Sequence, residues 1–99
     1  MPTHKPFATG KGKIDAKSQD ASWQWACNET LERGALTLDI EFEGEIEVTM
    51  NGGRKYTLKR ETMGKDIIGD RFFGKGSQVE ITAKPGAKVK RTTAKVYKY

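Results

Sequence analysis

The chain is short of most of the groups that do chemistry. Among its 99 residues there is one cysteine, Cys27, and one histidine, His4. A lone thiol excludes an internal disulfide and a cysteine-based metal site. A lone imidazole near the start leaves no partner set for a Cys–His or Ser–His–Asp nucleophile. Cys27 shares a strand parity with Trp23 and Trp25 and reads as a small core hydrophobe. No run of eighteen apolar residues is present, so no segment has the signature of a membrane-spanning helix. The opening Met-Pro-Thr-His-Lys-Pro has no apolar core of a signal peptide, and synthesis in the cytoplasm is expected. Apolar residues at helical spacing are missing over any useful length. Past Glu80 there is no acid at all.

What is present is alternation. From Leu36 to Met50, Leu36, Leu38, Ile40, Phe42, Ile46, Val48 and Met50 hold one parity, with Gly44 in the remaining slot. Thr37, Asp39, Glu41, Glu43, Glu45, Glu47 and Thr49 hold the other. A period of two sends successive side chains to opposite faces. The stretch therefore reads as two strands, or one long bent strand, with one apolar and one carboxylate face. Shorter alternations run from Ser22 to Cys27, from Lys55 to about Arg60 and from Gln78 to Ala83. A strand from Lys88 onward slips parity between Val89 and Val96, the mark of a bulge or of two short strands. Asn51-Gly52-Gly53 predicts a tight hairpin turn, because Asn and Gly tolerate positive φ. Lys84-Pro85-Gly86-Ala87 predicts a turn with proline at its first corner. Residues 61–76, rich in glycine, read as loop, with a short helix over 61–70 as the alternative.

These signals predict an all-β chain: a single antiparallel β-sandwich or jelly-roll-like barrel of seven or eight short strands. Its predicted domain is residues 14–99, preceded by a flexible basic arm at 1–13.

Charge is segregated along the chain. Residues 1–28 carry four Lys against two Asp, residues 29–47 carry seven acids against Arg33, and residues 48–99 carry thirteen bases against four acids. The net charge of +5 hides this. Basic strands beside acidic ones, or surfaces meeting between subunits, account for it better than a polyanion face. Asp39, Glu41 and Glu43 form a line about 6.5–7 Å apart rather than the converging cage a calcium ion takes. Gly69 to Ser77 approaches a phosphate-binding loop, but Gly76 stands between Lys75 and Ser77 and a strand follows. No catalytic residue, metal ligand or cofactor is expected.

The segment Phe42-Glu43-Gly44-Glu45-Ile46-Glu47-Val48-Thr49-Met50-Asn51-Gly52-Gly53-Arg54-Lys55-Tyr56-Thr57-Leu58 resembles small β-sandwich proteins of tailed-phage virions. Gly64-Lys65-Asp66-Ile67, and Val79 to Lys90 through Lys84-Pro85-Gly86-Ala87, share the same rhythm. The resemblance covers roughly residues 40–90. It implies a structural virion protein, a head decoration (cement) or tail-associated subunit acting through protein contacts with capsid or tail subunits or with its own copies. Contact residues are then expected at Lys5, Phe7 and Lys11 in the arm and at Phe72 and Phe73, one of which faces the core. A basic surface is expected at Lys84, Lys88, Lys90 and Arg91. The rival readings are a small basic barrel for single-stranded nucleic acid, and a carbohydrate-binding sandwich using Trp23 and Trp25.

Overall fold

The long acidic-faced stretch is one strand, and every other strand is arranged around it. A computed structural model describes residues 8–26, 34–50, 53–71, 73 and 76–98. It contains six strands: β1 (Ala8–Asp15), β2 (Ala21–Ala26), β3 (Gly34–Met50), β4 (Arg54–Asp70), β5 (Gln78–Ala83) and β6 (Lys88–Lys98). All six pair antiparallel in a single sheet. The protein is thus all-β, with six strands rather than seven or eight.

β3 sets the register. β4 pairs with it from Leu36 opposite Asp70 to Met50 opposite Arg54. The other edge of β3 takes β6 against Gly34–Glu43 and β5 against Ile46–Met50. β5 and β6 are therefore two halves of one line beside β3, and β1 and β2 flank them in the same way. Among these strands only β3 and β4 form a hairpin of consecutive elements, closed by the Gly53 amide donating to the Met50 carbonyl at 3.0 Å. Asn51 and Gly52 themselves lie outside the described residues. The predicted Lys84–Ala87 turn is present, with the Ala87 amide donating to the Lys84 carbonyl at 2.9 Å and Gly86 at φ +88°. It does not reverse the chain into a hairpin. It kinks a line that continues along β3.

Every line of the sheet bends at the same level. Register shifts fall between Gly12 and Ile14, between Glu41 and Phe42, and between Phe42 and Gly44. Gly44 sits there at φ +87°, and a Cβ on it would lie 2.7 Å from the Ala87 Cα. The Ala16 and Ala87 backbones hold the fold line, with the Gly86 amide donating to the Ala16 carbonyl at 2.7 Å. Bulges and positive-φ glycines are the usual means of bending a sheet this sharply. The sheet folds back on itself and the ends of its hydrogen-bonded path, β1 and β2, meet, so the structure is nearly a closed barrel.

The concave side is the core. Leu36, Leu38, Ile40, Phe42, Ile46, Val48 and Met50 of β3 are at most 1% exposed, and Val79, Ile81, Ala83, Val89, Ala94 and Val96 join them from β5 and β6. Each large aliphatic buried in this way contributes roughly 1.5–3 kcal/mol of transfer free energy. β1 and β2 meet through two tryptophans laid over glycines. A Cβ on Gly10 would lie 2.5 Å from the Trp25 ring, and one on Gly12 would overlap the Trp23 indole. Trp25 also stacks on Phe73, with ring centroids 5.9 Å apart and planes 3° from parallel.

Two sequence expectations are corrected here. Residues 8–13, read as arm, form most of β1, because their outer edge is hydrogen-bonded to β6 from Ala8 opposite Val96 onward. Residues 61–70, read as loop or short helix, are the second half of β4, held along β3 despite Gly64 and Gly69.

Thr92 is fully buried and its hydroxyl has no hydrogen-bond partner among the described residues. Replacing it with valine removes the desolvated hydroxyl while keeping the shape. Thr92→Val is expected to stabilise the fold by about 0.5–1 kcal/mol, read as a rise of several degrees in the melting temperature. A lower melting temperature would contradict this.

Candidate contact surface

The convex face of the β1/β6/β3/β4 half collects cations from strands far apart in sequence. Lys11 on β1 lies opposite Thr93 on β6, Thr93 opposite Asp39 on β3, and Asp39 opposite Ile67 on β4. One row over, Arg91 lies opposite Glu41 and Glu41 opposite Lys65. On the other side Lys95 sits between Thr9 and Thr37. Neighbouring strands are about 4.8 Å apart and alternate residues about 7 Å, so these side chains share one patch. The twist of the sheet hollows the patch into a depression of about 420 Å³, bounded by Lys11, Lys65, Arg91 and Lys95, with Tyr97 at one end. Asp39 lies on its floor, and Ile67, 68% exposed, stands on its rim.

Elsewhere the carboxylate row of β3 is matched by flanking cations. Glu41 accepts from Arg91 at 3.3 Å, Glu45 meets Lys59 at 3.4 Å, and Glu47 meets Lys84 at 3.4 Å and Lys55 at 3.9 Å. Lys84 also reaches Asp20 at 3.9 Å. Exposed pairs of this kind contribute about 0–1 kcal/mol each. Their effect is to spread the acidic charge over the sheet. Among the described residues, no three His, Cys, Asp or Glu side chains are grouped to hold a metal ion.

The structure separates the residues singled out from sequence. Lys11 and Arg91 meet in the depression. Phe73 is 0% exposed and fills the core against Trp25, so it offers no surface. Lys84 belongs to the opposite half, bound into its ion pairs. Lys88 lies opposite Asp15 and Glu43 at the fold line, and Lys90 is exposed in the adjacent bulge. The expected basic surface is therefore not one patch. Lys5, Phe7 and Phe72 lie outside the described residues.

Lys95 and Tyr97 follow Arg91 at strand parity and were visible in principle. Lys65 and Ile67 were hidden, because a segment read as loop gives no facing partner.

No protein-family model, no curated protein and no solved structure matches the chain.

Proposed function

We propose that the protein is a non-enzymatic contact subunit whose depression receives an acidic, partly apolar segment of a partner protein. The observation that carries this reading is the mixed chemistry of the patch: Lys11, Lys65, Lys95 and an Arg91 already paired with Glu41 lie around Asp39, with an exposed isoleucine on the rim. A carboxylate on the floor disfavours a phosphate backbone and accepts a peptide amide or a partner's cation. An aliphatic rim residue suits a protein side chain, and charged groups of both signs fix register and choice of partner. Trp23 and Trp25, which a sugar or base platform would need, are packed over Gly12 and Gly10. The setting we propose is a tailed-phage particle, with the chain as a decoration or tail-associated subunit. That setting rests on the rhythm of residues 40–90 alone. In such a lattice many modest contacts add up.

Single-stranded nucleic acid is the second reading, favoured by the same four cations. A titration followed by amide NMR separates the two. A peptide of alternating Glu and Leu is expected to shift Lys11, Asp39, Ile67 and Thr93 at lower concentration than an oligothymidylate does. Lys95→Glu is expected to weaken the peptide about tenfold, the loss of one close charge contact. Tighter oligothymidylate binding with a steep salt dependence would replace this reading with the nucleic-acid one.

A further inference from the structure

β4 is a 17-residue strand that pairs, among the described residues, with β3 alone. An edge of that length offers a row of free amides and carbonyls, and proteins guard such edges with charge. The charges on β4 are not spread evenly. Residues 54–60 carry Arg54, Lys55, Lys59 and Arg60 and no acid, whereas residues 61–70 carry Glu61, Asp66 and Asp70 against Lys65. A strand basic in its first half and acidic in its second is complementary to itself when reversed.

The pleat narrows the register. Tyr56, Leu58, Arg60, Asp66 and Ile68 share the core-facing parity of β4, because they lie opposite the core-facing residues of β3 or, for Arg60, opposite Gly44. An antiparallel copy keeps core-facing residues together only if it slides by whole pairs. Centring the two-fold on Met63 sets Leu58 opposite Ile68, Arg60 opposite Asp66, and Glu61 opposite Lys65. Within residues 57–69 it sets no two like charges against each other. Centring on Thr62 instead opposes Lys59 to Lys65 and Leu58 to Asp66. Centring on Gly64 opposes Leu58 to Asp70 and Arg60 to Ile68. Leu58 and Ile68 are half-buried and pack on the rim of the core, so a second copy would cover what β4 leaves partly open.

We propose that β4 is the isologous interface of a homodimer, pairing antiparallel with the β4 of a second copy about Met63. The two sheets then join along β4, bent at the axis where residues 61–63 bulge opposite Glu43, as edge-strand addition joins sheets in peptide recognition, under the two-fold symmetry most homodimers use. The exposed Ile67 falls opposite the partner subunit's Lys59, whose aliphatic stem covers it. The inference does not rest on the peptide-binding reading above, although Lys65 and Ile67 border both the β4 edge and the depression.

The test is a charge exchange read by light scattering on size exclusion, across a concentration series into the millimolar range. Glu61 and Lys65 are both exposed, so neither change threatens the fold. The unaltered chain is expected to run as a dimer. Glu61→Lys sets two lysine pairs across the axis and Lys65→Glu two glutamate pairs, and each alone is expected to weaken the dimer about tenfold or more. Mixing the two variants, or combining both changes in one chain, restores opposite charges at both positions and is expected to restore the dimer. A chain monomeric throughout the series overturns the proposal. So does a dimer indifferent to the single changes, or one that the mixture fails to rescue.

Discussion

Gly44→Ala is expected to destabilise the fold by roughly 2–5 kcal/mol, a large share of the total stability of a domain this size. Two independent effects add. At φ +87° an L-residue carries a penalty of about 1–2 kcal/mol. The new methyl would also sit 2.7 Å from both the Cα and the Cβ of Ala87, and overpacking of this kind costs about 1–3 kcal/mol. The backbone of Ala87 cannot swing aside, because its amide and carbonyl bond to Lys84 and Ala16. Two control substitutions separate the terms. Gly86 has φ +88° but open space around it, so Gly86→Ala should cost only the conformational part. Gly53 has open space around it and does not adopt a left-handed φ, so Gly53→Ala should be close to neutral. Urea unfolding of the three variants gives the ordering. If Gly44→Ala and Gly86→Ala cost the same, Ala87 is not pressed against the bend.

Gly12→Val is the second large effect. Any Cβ at this position overlaps the Trp23 indole, and a branched side chain cannot turn away from it. The indole must leave the seam between β1 and β2, and a cost of about 1–3 kcal/mol is expected. Removing the indole should remove most of the conflict. In a Trp23→Ala background Gly12→Val should therefore cost less, with a coupling of about 0.5–3 kcal/mol in a double-mutant cycle. Additive losses would mean that the two residues do not touch. The aromatic-on-glycine contact explains why residues 8–13 belong to the fold. Their small side chains receive large rings, where a sequence reading sees only a glycine-rich, lysine-rich stretch.

Strand alternation made much of this architecture legible in advance. The apolar parity of β3, the β5 span and the parity slip in β6 follow from it, and the Met50–Gly53 and Lys84–Ala87 turns follow from their Asn, Gly and Pro residues. The bend itself was half visible: Gly44 occupies an apolar slot, but nothing local says that three further lines kink beside it. Strand count and pairing were less legible for a physical reason. A Pro-Gly turn between two short strands reads as a hairpin, yet here both strands find the same long partner, and β3 at 17 residues has room for them end to end. The second half of β4 was missed because Gly64 and Gly69 punctuate it. Gly64 lies beneath the Arg60 guanidinium, which bridges to Asp66 at 3.3 Å across the bend. Of the surface residues, Lys11 and Arg91 were found, and their meeting was not, because it depends on the first strand pairing with the last, which no local pattern reveals.

The reading of this chain as a contact protein depends on where the two tryptophans spend their surface. With both rings packed over the glycines of β1 and partly buried, they make a poor platform for sugars or bases, which is why we propose the convex depression as the recognition face. The most direct measurement is the proton spectrum of Gly10 and Gly12 in the unliganded protein. The expected result is α-protons shifted upfield by the indole ring currents, with cross-peaks from Gly12 to Trp23 and from Gly10 to Trp25. Glycine α-protons at ordinary positions, with the tryptophan rings free to report an added oligonucleotide or sugar, would contradict it.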